Sequence, residues 1–306
     1  MNPGIKIGPE DGIEKLKKSQ AKYCEIWFRL DWEDKYIKLF QYLQKNKINF
    51  GLHFWATIDN KYFPDFLCLE PGLAQKTLKL LKKTIDIASK YNAYYVNFHP
   101  ESYRLAKLDL DNSKIKVVNP KLKINKEKTF NQFLRYLEKI NKYAKKKGII
   151  PFLETVPKFM PSDFKNFKKG RLKPQLSEGL ETEKFIQLTK KNYPICLDLG
   201  HTQAQVVSDN RKKIFNHLYQ SAKQMKDQIG LIHVTTNIPP FNGTDSHNGI
   251  LEKDFEKGAL PNKKQLKKIL SIFKNKDIWL IPEPPHKEMI ENFKELKKIV
   301  DKIEAN

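Results

Sequence analysis

Ile149-Ile150-Pro151-Phe152-Leu153-Glu154-Thr155 is a short, near-continuous apolar run that ends in an acid. A parallel strand covered on both faces reads this way, whereas a strand with one wet face alternates. The run follows a helix-period segment, residues 126–147, and precedes another, residues 181–192. Helix, buried strand and helix in that order form the repeating unit of a parallel α/β sheet.

The unit recurs in both directions along the chain. Strand patterns fall at residues 5–8, 23–29, 48–55, 93–99, 149–155, 194–199, 229–235 and 277–283. Helical patterns fall at 12–21, 32–45, 72–91, 126–147, 181–192, 210–227, 262–275 and 286–304. Eight strands, each followed by a helix, match a closed (β/α)8 barrel, the TIM barrel. No linker splits residues 1–306, so a single domain is expected. Long loops at 100–125, 156–180 and 236–261 are candidate lids or binding loops.

The chain has 306 residues, 30% charged and 40% hydrophobic, which is material for a core and unlike a disordered segment. Cys24, Cys68 and Cys196 are odd in number and scattered. They argue against a disulfide framework and for a reducing, cytoplasmic setting. The N-terminus lacks the shape of a signal peptide and no apolar run approaches membrane-spanning length. The formal charge is +22, but of 57 basic residues only Arg29, Arg104, Arg135, Arg171 and Arg211 are arginines. Nucleic-acid readers usually draw on Arg for bidentate contacts, and a solvated Lys-biased surface accounts for the same numbers. Such a field still attracts polyanions, so it permits a nucleic-acid substrate without selecting one.

In a barrel of this kind chemistry sits at the C-terminal strand ends. Those ends and the loops after them carry His53, His99, Glu154, Asp198, His201, His233, Asp245, His247 and Glu283. Five of the seven histidines are in this set. A lone histidine at a strand end is usually a satisfied polar group; the force lies in the coincidence on one rim. Carboxylates and imidazoles gathered without a counter-charge are costly to desolvate, and divalent metals relieve that cost. Catalytic zinc commonly takes three protein ligands, so nine residues suit two or three ions, zinc or manganese.

These residues resemble the xylose-isomerase-like barrel superfamily, and most specifically the endonuclease IV type of AP endonuclease. Ala93-Tyr94-Tyr95-Val96-Asn97-Phe98-His99-Pro100 is similar to that family's Phe-His-Pro strand, and Cys196-Leu197-Asp198-Leu199-Gly200-His201 to its Cys-Leu-Asp-x-x-His motif. The resemblance implies three zinc ions. His53 and His99 would bind one together with Glu154. Glu154 would bridge to a second that also takes Asp198, His233 and Glu283, while His201, Asp245 and His247 would hold a third. It implies hydrolysis of damaged double-stranded DNA, by a metal-activated hydroxide that attacks the phosphorus 5′ to an abasic site, with Glu154 and Glu283 as the catalytic carboxylates. Three segments depart from the family pattern: Thr155-Val156-Pro157 after Glu154, Val234-Thr235-Thr236-Asn237 after strand seven, and an Asp245-Ser246-His247 motif without basic neighbours.

A sugar isomerase or epimerase of the same superfamily is the alternative. It would need Glu154, Asp198, His233 and Glu283 around one ion, with two carboxylates shuttling a proton beside a carbonyl of a small sugar substrate. The extra ligands favour the nuclease. The loop 156–180 interleaves cations and aromatic rings, including Lys165, Lys168 and Arg171, as a strand-binding loop would; rings that pack the loop while its lysines stay wet describe it equally. Trp55 and Tyr62, after His53, and Tyr103 and Arg104, after His99, are further substrate-contact candidates. No membrane partner is expected.

Overall fold

The first strand is broken at Gly4, and the break closes a ring. The computed structural model describes residues 1–109, 112, 114–118, 123–160 and 178–305. Asn2–Pro3 (β1) pairs with the last strand, while Ile5–Ile7 (β2) pairs with the second strand of the barrel. A side chain at Gly4 would lie 2.8 Å from the carbonyl oxygen of Tyr23 and 2.7 Å from Ile281. Only glycine lets the two halves turn there.

After β2 come α1 (Gly12–Ser19), β3 (Tyr23–Arg29), a 3-10 segment (Leu30–Tyr36), α2 (Ile37–Lys45), β4 (Asn49–Trp55), α3 (Leu73–Lys90) and β5 (Tyr95–Phe98). A hairpin follows, β6 (Ala106–Asp109) and β7 (Lys114–Val117), then α4 (Lys126–Lys146), β8 (Ile150–Glu154) and α5 (Thr182–Thr189). The rest is β9 (Ile195–Asp198), α6 (Leu199–Ala204), α7 (Arg211–Met225), β10 (Ile229–Val234), α8 (Glu252–Glu256), α9 (Lys263–Leu270), β11 (Trp279–Pro282) and α10 (Met289–Ala305). The sheet order β1-β11-β10-β9-β8-β5-β4-β3-β2 is parallel throughout, so β1 and β2 together form one of eight staves. This is the TIM-barrel architecture that the strand and helix count implied.

Local chemistry places several helix starts. Asn125, Asn210 and Asn262 each accept a backbone N–H of the first turn, and Asn262 with Gln265 forms a reciprocal capping box. Three elements differ from the sequence expectation. The 100–125 loop holds an antiparallel hairpin, whose outer positions are too polar to stand out as strands. The 236–261 loop folds back on itself through pairings of Thr236 with Asn248 and Asn237 with Leu260, and contains α8. Helix α6 springs directly from β9, where Asp198 caps it. No helix among the described residues is long and apolar enough to cross a membrane.

Most of the core lies between the staves and the helices. A second apolar cluster, Tyr95, Phe152, Cys196, Leu231, Trp279 and Ile281, fills the inside of the barrel. Gly51 and Gly230 make room for it: a Cβ at Gly51 would fall 2.2 Å from the Tyr95 ring, and one at Gly230 2.6 Å from that of Phe152.

Candidate metal centre

Side chains alternate along a strand, so residues two apart share a face and stack as layers inside a barrel. Two positions beyond the inner plug residues Tyr95, Phe152, Cys196, Leu231 and Ile281 stand Asn97, Glu154, Asp198, His233 and Glu283. His53 stands two beyond Gly51. The plug is thus the floor, and the polar layer above it is the site. Burial pushes the Cys196 thiol well up, so it remains a thiol beneath the site.

His53, Glu154, Asp198, His233 and Glu283 belong to this layer, and His99, His201, Asp245 and His247 join it from the segments after the strands. His99 Nε2 and His233 Nδ1 each lie 3.1 Å from Glu154 Oε1, and His53 Nε2 lies 3.7 Å from Glu154 Oε2. His233 Nδ1 also faces Glu283 Oε1 at 3.0 Å and Asp198 Oδ2 at 3.8 Å. Asp245 Oδ2 lies 2.6 Å from His247 Nδ1 and 3.5 Å from His201 Nε2. His53–His99–Glu154, Glu154–Asp198–His201 and His201–Asp245–His247 each bring three ligand atoms within 4.8 Å of one another. Seven of the nine residues are buried, while the side chains of His99 and His247 are 24% and 29% exposed.

The donor set fits divalent ions. The buried atoms His99 Nε2, Glu154 Oε1, Asp198 Oδ2, His233 Nδ1 and Asp245 Oδ2 meet charged partners within this cluster, but none of them in hydrogen-bond geometry. In proteins generally, buried polar atoms are hydrogen-bonded as a rule. Their charges are also strained. Burial opposes the charge on Glu154, but His233, His99 and His53 outweigh it and hold the carboxyl well below its usual range. Burial raises the Asp198 carboxyl and, despite His201, it reaches about 6 with Glu154, Asp245 and Glu283 adding to the effect. Burial would lower His99, but Glu154 and Glu101 raise it to about 10.

The ligand-type residues are braced from behind. His201 donates Nδ1–H to the Thr155 carbonyl at 2.7 Å, Thr235 donates to Asp198 Oδ1 at 2.8 Å, and Asn237 accepts from the backbone N–H of Ser246 at 2.6 Å beside Asp245. Thr155, Thr235 and Asn237 lie in the segments that depart from the endonuclease IV pattern, and each has a bracing contact of its own. Such outer contacts fix imidazole tautomers and ligand orientation in metal sites.

Sequence reasoning missed four partners. Glu25 on β3 is fully buried and contacts His53 Nδ1 at 3.2 Å, Tyr95 Oη at 3.0 Å and His233 Nε2 at 3.0 Å. Lys6 on β2 reaches His53, Glu25 and Glu283. Glu101 faces His99 Nδ1 at 3.3 Å, and the Asn97 amide bonds Glu154. The overlooked signal is a charge inside an apolar strand, as in Ile5-Lys6-Ile7 and Cys24-Glu25-Ile26.

Among the substrate-contact candidates, Trp55 lies beside the site. Its ring is 5.8 Å from that of Trp27, which is in register with His53, and Arg29 packs between Trp55 and Trp32 at 4.7 and 4.3 Å. Tyr62 is half-buried against Ile58, Cys68 and Leu73 and pairs with Lys107 of β6. Tyr103 is 4% exposed and its hydroxyl donates to Glu181 at 2.5 Å, away from the nine-residue cluster. Arg104 lines a cleft with Tyr103, Leu105 and Lys123, rather than the nine-residue cluster. Lys165, Lys168 and Arg171 lie outside the described residues.

A family model described as Xylose isomerase-like TIM barrel matches residues 11–262. No curated protein matches the chain in sequence. Among solved structures, a D-tagatose 3-epimerase-like protein superposes with a TM-score of 0.67 at 14% identity, covering 100% of this chain and 99% of the other. Endonuclease IV from Thermus thermophilus gives 0.58 at 13%, covering 99% and 100%. D-psicose 3-epimerase from Clostridium cellulolyticum gives 0.57 at 12%, covering 99% and 96%. At these identities the likeness is one of fold.

Proposed function

This chain belongs to the xylose isomerase-like TIM barrel family, and from that premise we propose that it is a metal-dependent phosphodiester hydrolase acting on damaged double-stranded DNA at abasic sites. One observation carries the reading. Beyond the set Glu154, Asp198, His233 and Glu283, which suffices for one ion, the barrel rim adds His53 and His99 on one side and His201, Asp245 and His247 on the other. A proton shuttle on a sugar has no use for that second and third set, whereas phosphoryl transfer gains from several cations.

The centre would hold two or three divalent ions, zinc foremost, with manganese suited to the same donors. Such ions supply Lewis acidity and lower the pKa of water. Glu154, at the centre of the imidazoles, orders them around both of its oxygens. Glu283 lies at the strand end, 8% exposed, where it would orient an attacking water. Trp27 and Trp55 offer flat faces beside His53 for an unstacked base or the abasic gap, and the +22 surface charge draws the duplex in. Lys165, Lys168 and Arg171 are proposed strand contacts. The three cysteines are buried and unbridged, in keeping with a cytoplasmic enzyme.

The second reading is a sugar isomerase or epimerase, favoured by the convergence of Glu154, Asp198 and Glu283 on His233 Nδ1. Several similar solved structures are epimerases by name, D-psicose 3-epimerase and L-ribulose 3-epimerase among them. Incubation with an abasic-site duplex, with and without chelator, beside a ketose panel separates the two. Chelator-sensitive nicking is expected; turnover of a ketose without nicking overturns the hydrolase.

A further inference from the structure

Arg29 ends β3 on the same face as Glu25 and Trp27, since side chains two apart share a face. Trp27 is in register with His53 and Arg29 with Trp55. Arg29 therefore stands about 6–7 Å farther toward the barrel mouth than His53. Its guanidinium lies in a slot of rings, 4.3 Å from Trp32 and 4.7 Å from Trp55. Trp27 borders both, with ring centroids 6.0 and 5.8 Å away. Asp31 holds one edge: Nε donates to Oδ1 at 2.8 Å and Nη2 to Oδ2 at 2.8 Å. Among the described residues nothing else hydrogen-bonds this guanidinium, and the side chain is 17% exposed. The rings take its faces and Asp31 its side edge, which leaves the end-on fork of Nη1 and Nη2. That fork is the geometry that takes two oxygens of a phosphate.

We propose that Arg29 determines specificity: its fork anchors a non-reacting phosphate of the substrate at the barrel mouth, apart from the metal centre. The ring slot and Asp31 fix the guanidinium before substrate arrives, so little rotamer freedom is lost on binding. Lysine is no substitute, because an ammonium has neither flat faces for the slot nor paired donors. A sugar without phosphate offers this fork no partner, so the substrate class is phosphate-bearing. The inference rests on the site of the proposed function and deepens it; a phosphodiester strand and a sugar phosphate share the chemistry.

Three of the four tryptophans border the slot, so intrinsic fluorescence reports its occupancy. The full chain, Arg29→Ala and Arg29→Lys are titrated with three probes: an abasic-site duplex with an uncleavable phosphorothioate at the lesion, a ketohexose phosphate, and the same ketohexose without phosphate. At least one phosphate-bearing probe should bind the natural chain, and bind both variants about 10-fold more weakly or worse. The response to the unphosphorylated sugar should be the same in all three chains. For the duplex, the salt dependence of log affinity should shrink by about one unit of slope in Arg29→Ala. Undiminished affinity for the phosphate-bearing probes in either variant, an equal loss with the unphosphorylated sugar, or no phosphate-bearing probe bound by the natural chain overturns the inference. Should Arg29→Ala fail to fold by circular dichroism, Arg29→Gln carries the same expectation. A response to the sugar phosphate alone sustains the anchor and removes the hydrolase reading, whereas a response to the duplex sustains both.

Discussion

His201 sits one turn into α6 with its Nδ1–H on the carbonyl of Thr155 at 2.7 Å. That bond leaves Nε2 as the lone-pair nitrogen, aimed at Asp245 Oδ2 3.5 Å away. The same turn is capped by Asp198, which accepts from the His201 backbone N–H at 2.6 Å. An Asp-x-x-His motif at a strand-to-helix junction thus orients two ligand-type side chains with one cap.

His201→Ala should therefore cost one ion. Elemental analysis after dialysis should show a loss of one equivalent, with circular dichroism unchanged. An undiminished metal count would remove His201 from the centre.

Glu25→Gln should weaken metal binding without touching a proposed ligand. Its carboxylate orients His233 and His53 from behind. Loss of such a contact typically lowers affinity by about 10- to 100-fold, to be read by competition with a fluorescent zinc chelator. An affinity within about twofold of the natural protein would contradict the orienting role.

His99→Ala should distinguish the two catalytic readings. Its Nε2 faces Glu154 from outside the four-residue set. Nicking of an abasic-site duplex should fall by about 100-fold or more, whereas a ketose epimerase working through the four-residue set should retain most of its rate.

The metal-free protein should lose stability as pH rises. Glu154 and Glu101 outweigh burial and raise His99 to about 10, above the unfolded value of about 6.5. The stabilisation from this charged imidazole is complete below the unfolded pKa and disappears as pH climbs through the folded one. The Tm of chelated protein should fall between pH 6.5 and 10, and metal affinity should rise over the same span because binding displaces the proton. Calorimetric titrations in buffers of different ionisation enthalpy should show proton release; a Tm flat with pH would contradict the assignment.

Gly51→Ala should destabilise the fold by about 1–3 kcal/mol through overpacking. The added methyl would overlap the Tyr95 ring, whose hydroxyl donates to Glu25 at 3.0 Å. Denaturant unfolding measures the loss, and a neutral result would mean the ring has room to move.

Much of the barrel is readable in the sequence because its staves are short apolar runs with polar ends. β3 (Tyr23–Arg29) matches the expected span residue for residue. The β6–β7 hairpin escapes because Lys107, Lys114 and Lys116 break its apolar pattern. The nine rim residues stand out because His, Asp and Glu at strand ends are conspicuous. Lys6 and Glu25 do not, since each is a single charge within a strand, and only the closure of the ring brings residue 6 beside residue 283. Tyr103 follows His99 in sequence, yet its hydroxyl turns to Glu181 across 78 residues, a pairing no local pattern shows.

The split first strand has a kinetic consequence. Lys6 meets Glu283 across 277 residues, and Glu25 meets His233 across 208. Contacts so distant in sequence form late, because their loop-closure cost must be met before they contribute. The centre therefore does not exist until the last stave docks against the first. An ion bound there would favour the closed ring over every open one by mass action, so a metal would act as a latch on the completed barrel rather than a seed for its folding.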